Sequence, residues 1–321
     1  MFAFPYPSQG LRARGHIIIS DGKVKCVMAA DLILGKEVSE AIYSDLRTRI
    51  AALKEKGVMP CLAVIMVGDD PASLVYVNNK DRKCRELGVE SRQLQLPASI
   101  SQQDLIAEID RLNRDSGVSG ILVQLPLPSH IDESAVIKAI DPAKDVDCFH
   151  PFNLGNMVIG EADFLPATPA GIQQMIVHYG FQTAGKHVVI VGRSNIVGKP
   201  LAVIMMQRGH GNDATVTVVN SKTERLVELT RSADILVVAV GKPNFITADM
   251  VRDGAVVIDV GTNRVEDPTS PKGYRLVGDV DFEGVKDKVS AITPVPGGVG
   301  PMTICMLMNN TVKAAEMGAK R

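Results

Sequence analysis

Val188-Val189-Ile190-Val191-Gly192-Arg193-Ser194-Asn195-Ile196-Val197-Gly198 is the stretch whose reading decides the fold. Four consecutive apolar residues suit a strand covered on both faces, as in a parallel sheet. Glycines then turn the chain into Lys199-Pro200-Leu201-Ala202, the start of a helix. Backbone amides at a helix N-terminus favour negative charge, and glycines let a chain approach a diphosphate closely. The GxSxxxG spacing is looser than the usual GxGxxG fingerprint, so taken alone it also suits a tight strand-to-helix turn with no ligand.

Working outward, 187–191, 215–219, 234–240 and 255–260 all read as short apolar strands separated by helices. That alternation describes a Rossmann-like parallel sheet. The first half alternates too. Val38, Ile42, Leu46, Ile50 and Leu53 recur at helical spacing until Gly57 and Pro60, and Leu62 to Val67 is a continuous apolar strand. A helix near Ser73 to Leu87, an amphipathic stretch Asp104 to Leu112 and a strand Gly120 to Leu125 follow. The expected fold class is therefore α/β with two domains. Their bounds are expected at 28–165 and 166–300, with the break near Pro166-Ala167-Thr168-Pro169, and a terminal helix at about 301–321 completes the first domain.

With 321 residues, 45% hydrophobic and 22% charged, the chain can bury a substantial core. A net charge of -1 offers no bulk attraction to nucleic acid or an acidic membrane, and neither is expected as a partner. The five cysteines are scattered with no CxxC pair, which disfavours disulfides and a zinc site and suits a reducing cytoplasm; no metal is expected. Residues 1–27 carry Arg12, Arg14 and His16 before any acidic residue. Their apolar run Ile17-Ile18-Ile19 is too short for a secretory segment and no small-residue cleavage signal stands out, so a dispensable extension, with Met28 a candidate ancestral start, is expected over the alternative of a transit peptide.

Two exceptions to the apolar pattern point to chemistry. On the helix from Ser73, the stripe Val77, Lys80, Cys84, Leu87 is interrupted by a lysine, and Tyr76 precedes Lys80 by four residues on the same face. A lysine turned inward has its basicity depressed and can act as a general base, although the same pattern suits a lysine snorkelling from the core edge. Gln124 likewise breaks the strand between Val123 and Leu125, near a C-terminal strand end where open sheets gather ligands, or it serves a loop backbone. Asp145 and Asp147 could recognise a nitrogen-rich ring or simply close a turn. Where a NAD-selective site usually carries a carboxylate, the chain reads Asn220-Ser221-Lys222, which together with Arg193 favours NADP as cofactor.

Tyr76-Val77-Asn78-Asn79-Lys80, Val123 to Pro128, Asp145-Val146-Asp147, Thr168-Pro169, the glycine turn and Ile292 to Pro301, taken in this order, resemble the bifunctional methylenetetrahydrofolate dehydrogenase/cyclohydrolase family across residues 29–318. The resemblance implies two domains with a cleft between them and a homodimer formed through the nucleotide domain. It implies NADP-linked oxidation of 5,10-methylenetetrahydrofolate to the methenyl form, then hydrolysis to 10-formyltetrahydrofolate. By the same match, Lys80 would be the principal group of the hydrolysis, Gln124 would hydrogen-bond it, and Tyr76 would orient the folate. Asp147 would hold the pterin, Val123 and Leu125 would line the folate site, and Pro296, Gly297, Gly298, Val299 and Gly300 would close over it. Gly192, Arg193, Ser194, Ser221 and Thr262 would bind NADP. Three positions depart from the family pattern: Cys148 in place of glycine, Ala167 in place of cysteine, and Thr262 in place of isoleucine. A dehydrogenase without hydrolase activity and a non-enzymatic nucleotide-binding module are the alternatives; retention of Lys80 argues against the first.

Overall fold

The computed structural model describes residues 15–20, 23–28, 30–271 and 273–320. The expected N-terminal extension falls in part outside them; its described segments β1 (Gly15–Ser20) and β2 (Lys23–Met28) pair antiparallel. In chain order there follow β3 (Asp31–Leu32), α1 (Gly35–Glu55), β4 (Cys61–Val67), α2 (Pro71–Leu87), β5 (Glu90–Leu96), α3 (Gln102–Arg114), β6 (Gly120–Val123), α4 (Glu133–Ala139) and α5 (Pro151–Ile159). Then come α6 (Ala167–His178), β7 (His187–Val191), α7 (Gly198–Met206), β8 (Thr215–Val219), α8 (Leu226–Arg231), β9 (Ile235–Val238) and β10 (Val256–Asp259). The chain ends with β11 (Asn263–Glu266), β12 (Tyr274–Val277), α9 (Phe282–Val285), β13 (Ala291–Ile292) and α10 (Gly300–Gly318).

These elements divide into two α/β units, one made of residues 40–167 and 304–321, the other of residues 1–39 and 168–303. In the first, β4 is central and parallel to β5 and β6, in the order β5-β4-β6. Every residue of β4 is buried, which is why it reads as an unbroken apolar run. β5, Glu-Ser-Arg-Gln-Leu-Gln-Leu, was not visible as a strand in the sequence: it is the partly exposed edge, on which Glu90, Gln93 and Gln95 face solvent. Ile109, Leu105 and Leu112 of α3 pack on this sheet with Ile121 and Val136. Arg49 of α1 joins the same unit to α10, its guanidinium donating to both carboxylate oxygens of Glu316 at 2.8 Å and to Asn309 Oδ1 at 2.8 Å.

The second unit holds a six-stranded parallel sheet in the order β3-β13-β10-β9-β7-β8. Its core joins Val189, Val191, Leu236, Val238, Val257 and Ile292, alternate residues of neighbouring strands on one face. The chain leaves β7 for β8 on one side and returns as β9 on the other, which creates a switch point at the C-terminal ends of β7 and β9. One boundary differs from expectation. Residues 31–35 pack with this unit, although the other was expected to open at residue 28, because Asp31 and Leu32 pair in parallel with Ala291 and Ile292. Gly35 then docks on the 297–298 turn: its amide donates to Gly297 O at 3.0 Å, and a Cβ there would lie 2.0 Å from Gly298 O.

Candidate active site and dinucleotide site

In the first unit, α2 leaves β4 through a well-defined start. Asp70 caps it by accepting from Ser73 N at 2.8 Å, and Pro71 occupies the first turn, where its missing N–H costs nothing. This registers Val77, Cys84 and Leu87 against the core and leaves Lys80 half-buried beside them, its amine turned toward Gln124. Lys80 Nζ donates to Gln124 Oε1 at 2.9 Å. Gln124 follows β6 directly; its backbone amide still bonds Ile65 O at 2.8 Å, and its Nε2 donates to Leu125 O at 2.8 Å. That second bond orients the amide so that its oxygen, not its nitrogen, faces the lysine.

Burial holds the Lys80 ammonium below its usual basicity, opposed by the negative charge of Asp147. The same burial pushes the Asp147 carboxyl up to about 6, with Lys80 pulling it down and Asp145 pushing it further up. An amine of weakened basicity and a carboxylate that titrates near neutrality thus sit within each other's field, a pairing that structural lysines seldom need. Tyr76 differs from the inward placement expected for it. One residue off the buried stripe of α2, it is 53% exposed, so its ring is open to a ligand rather than packed with Lys80. Val123 is a core residue, and only Gln124 and Leu125 beyond it emerge from the sheet.

Asp145 takes the structural alternative. It accepts from Phe149 N, His150 N and Asn153 Nδ2 and so fastens the turn that leads into α5. Cys148, where the resemblance leads one to expect glycine, does lie in the left-handed region with φ 59. The buried thiol compensates by donating to Phe164 O at 3.2 Å, so the loop carrying Asp147 keeps a glycine-like turn with a different residue.

In the second unit the glycine turn is set first by packing. Gly192 has φ 125, and a Cβ on it would lie 2.2 Å from Ala239 O; one on Gly198 would lie 2.1 Å from Gly192 O. Only glycine admits this crossing of β7 into α7. Ser194 Oγ accepts from Val197 N at 3.1 Å and Gly198 N at 3.4 Å, capping the turn while keeping its own proton to donate. Arg193 is exposed beside it. Beyond β8, Asn220 Oδ1 accepts from Lys222 N at 3.0 Å, a turn that leaves Ser221 and Lys222 exposed. Thr262, after β10, is also exposed. Within 296–300 the residues divide: Pro296, Gly297 and Gly300 face solvent, whereas Gly298 and Val299 are buried, and a Cβ on Gly298 would lie 2.7 Å from Pro294 O.

Sequence reasoning missed two buried acids of this unit, Asp259 at 3% exposure and Asp279 at 0%. Asp259 had a signal of the kind that exposed Gln124, a charge closing the apolar run Val256-Val257-Ile258. Asp279 had none, because its partners lie far away in sequence.

The family model for the tetrahydrofolate dehydrogenase/cyclohydrolase catalytic domain matches residues 33–147, and that for the tetrahydrofolate dehydrogenase/cyclohydrolase NAD(P)-binding domain matches residues 166–319. The bifunctional protein FolD of Prosthecochloris aestuarii is 56% identical over 286 residues, covering 88% of this chain and 97% of that protein. The crystal structure of the bifunctional FolD dehydrogenase/cyclohydrolase from Campylobacter jejuni is 47% identical with a TM-score of 0.85, over 90% of this chain and 99% of that one. The FolD of Trypanosoma brucei, crystallised with NADP and an inhibitor, is 38% identical, also with a TM-score of 0.85, over 91% of this chain and 99% of that one. Matched by both domain models in order and by relatives along most of its length, the chain belongs to the tetrahydrofolate dehydrogenase/cyclohydrolase family.

Proposed function

We propose that the protein oxidises 5,10-methylenetetrahydrofolate with NADP and hydrolyses the resulting 5,10-methenyl compound to 10-formyltetrahydrofolate. The observation that carries this reading is the Lys80–Gln124 pair beside Asp147. In the first reaction a hydride leaves the methylene carbon with both electrons of its C–H bond, driven by the folate nitrogens, and NADP accepts it. No protein base is required; holding the donor carbon and the nicotinamide in position is the protein's task. Gly192, Arg193 and Ser194 at the switch point, with Ser221 and Thr262 at neighbouring strand ends, supply the cofactor contacts. Lys222 and Arg193 favour a 2′-phosphate, and no carboxylate stands at 220–222 to repel one.

In the second reaction water adds to the methenyl carbon. A neutral Lys80 amine takes one water proton as the C–O bond forms and, as ammonium, returns it to N5 when the C–N5 bond breaks. The other proton leaves the hydroxyl as the formyl C=O forms, so one proton is released per turnover. Gln124 fixes the lysine by accepting from it, and the lowered basicity of Lys80 makes the neutral amine accessible. Asp147 accepts from the amino-pyrimidine edge of the pterin, exposed Tyr76 stacks on it, and Pro296, Gly297 and Gly300 close on the folate.

No helix among the described residues is long and apolar enough to cross a membrane. The working form is proposed to be a cytoplasmic homodimer, with residues 1–27 dispensable for both reactions. A paired absorbance assay tests the function: methylene oxidation with NADP and with NAD, then decay of the methenyl product. Turnover in both steps with a preference for NADP is expected. NADP binding with no turnover would support a nucleotide-binding module instead, and oxidation without accelerated methenyl decay would support a monofunctional dehydrogenase.

A further inference from the structure

Asp259 and Asp279 have no part in the chemistry above, yet they are among the most buried charged groups of the second unit. Asp259 closes β10; its Oδ1 accepts from Gly261 N at 2.9 Å and Asp279 N at 3.0 Å, and its Oδ2 from Val280 N at 2.9 Å. Asp279 then reaches two other segments. Its Oδ2 accepts from Val240 N at 2.6 Å and Gly241 N at 2.9 Å, and its Oδ1 from Lys242 N at 2.9 Å and Asn263 Nδ2 at 2.8 Å. Such a carboxylate is held by backbone dipoles rather than by a cation. The backbone is shaped around both acids: a Cβ on Gly261 would lie 2.3 Å from Asp279 Cγ, and one on Gly278 would lie 1.8 Å from Asp259 Oδ2.

The segments so held are the ones that leave β9 and β10 at their C-terminal ends. Residue 239, which leads into the first of them, is the wall of the glycine turn: Ala239 N donates to Val191 O at 2.8 Å, and Ala239 O lies 2.2 Å from where a Cβ of Gly192 would be. Residues 261 and 263 flank Thr262 in the second. We propose that Asp279 is a positioning residue for the dinucleotide: by gathering the amides of 240–242 and the side chain of Asn263 on one carboxylate, it holds the wall of the Gly192 turn and the Thr262 loop at the spacing the cofactor requires. This rests on the cofactor reading given above. Asp259 supports it from behind by fixing the amides of 279 and 280.

The test is steady-state kinetics of methylene oxidation against NADP in Asp279→Asn and in the milder Asn263→Ala. Asparagine has the size of aspartate, but its NH2 faces amide donors wherever it points, so two donors lose their acceptor. KM for NADP is expected to rise about tenfold or more in Asp279→Asn and about threefold in Asn263→Ala, with kcat at saturating NADP within about threefold of the parent. A merely structural role would lower kcat with the folded fraction and leave KM in place, and that result overturns the inference. Should Asp279→Asn fail to fold, Asn263→Ala decides, and an unchanged KM there overturns it equally. Parent protein that reduces no NADP overturns the cofactor reading and this inference with it; normal parent turnover beside variants of unchanged KM overturns the inference alone.

Discussion

Replacing Lys80 with methionine removes the group to which the proposed function gives the proton transfer at the methenyl carbon while keeping an unbranched side chain of similar length. Positioned acid–base groups contribute about 10²–10⁴ in rate, which is about 3–5 kcal/mol of barrier, so methenyl hydrolysis should fall by that factor. Methylene oxidation, which needs no protein base, should change by less than about tenfold, and the ratio of the two activities should therefore shift by at least about tenfold. The fold should survive. Gln124 Oε1 loses the donor it has at 2.9 Å, a cost of about 1–3 kcal/mol, but an amine whose charged form is penalised by burial goes with it. A third effect follows from the electrostatics: Lys80 lowers the Asp147 carboxyl, so its removal moves that group further up from about 6 and leaves less carboxylate at neutral pH. Folate KM in Lys80→Met should accordingly be raised at pH 7 and recover toward that of the parent at pH 8.5. The assay is methenyl decay and NADPH formation on one preparation, with circular dichroism to confirm folding. Hydrolysis within about threefold of the parent in a folded variant would refute the role given to Lys80.

Asp147 also makes a pH prediction of definite sign. Its folded value of about 6 lies above the ordinary 3.8, so its contribution to stability is fully present below the ordinary value and is lost as pH rises through about 6. Asp147→Asn should thus gain up to about 3 kcal/mol over the parent at pH 7.5 and little at pH 4, read by urea unfolding, while its folate KM rises. Gly192→Ala should abolish NADP binding or folding, because its Cβ would meet Ala239 O at 2.2 Å on a backbone of φ 125; fluorescence titration with NADPH would show it, and undiminished affinity would mean the turn is more plastic than its packing implies. At Cys148, with φ 59, glycine relieves backbone strain but loses a buried thiol, so Cys148→Gly should stay within about 1 kcal/mol of the parent, whereas β-branched Cys148→Val should cost about 2–4 kcal/mol in chemical denaturation. Replacing Ser221 and Lys222 together by alanine should raise KM for NADP about tenfold and leave that for NAD nearly unchanged; equal losses would count against a 2′-phosphate contact.

Much of the fold was legible because buried parallel strands announce themselves. β4 is apolar end to end and β7 is apolar from Val188 on, since both faces are covered, and Gly192 and Gly198 after β7 stand where no Cβ fits. The Lys80–Gln124 pair of the candidate site was legible for the converse reason: both residues break apolar runs, and a polar group in such a place must have a partner. What stayed hidden had no local pattern. The polar edge strand β5 carries no period that separates it from loop, and Asp145, adjacent in kind to Asp147, took a structural role that only its three donors reveal.

The sequence by itself determined the two α/β halves, the glycine turn and the lysine set in an apolar stripe, because burial and backbone geometry act on residues near one another in the chain. Only the tertiary structure decided that residues 31–35 join the nucleotide unit, that Tyr76 lies at the surface while Lys80 turns inward, and that Asp279 gathers amides nearly forty residues away. Those outcomes depend on strand pairing and on which donors converge upon a buried charge, and convergence in space leaves no periodic trace along a chain.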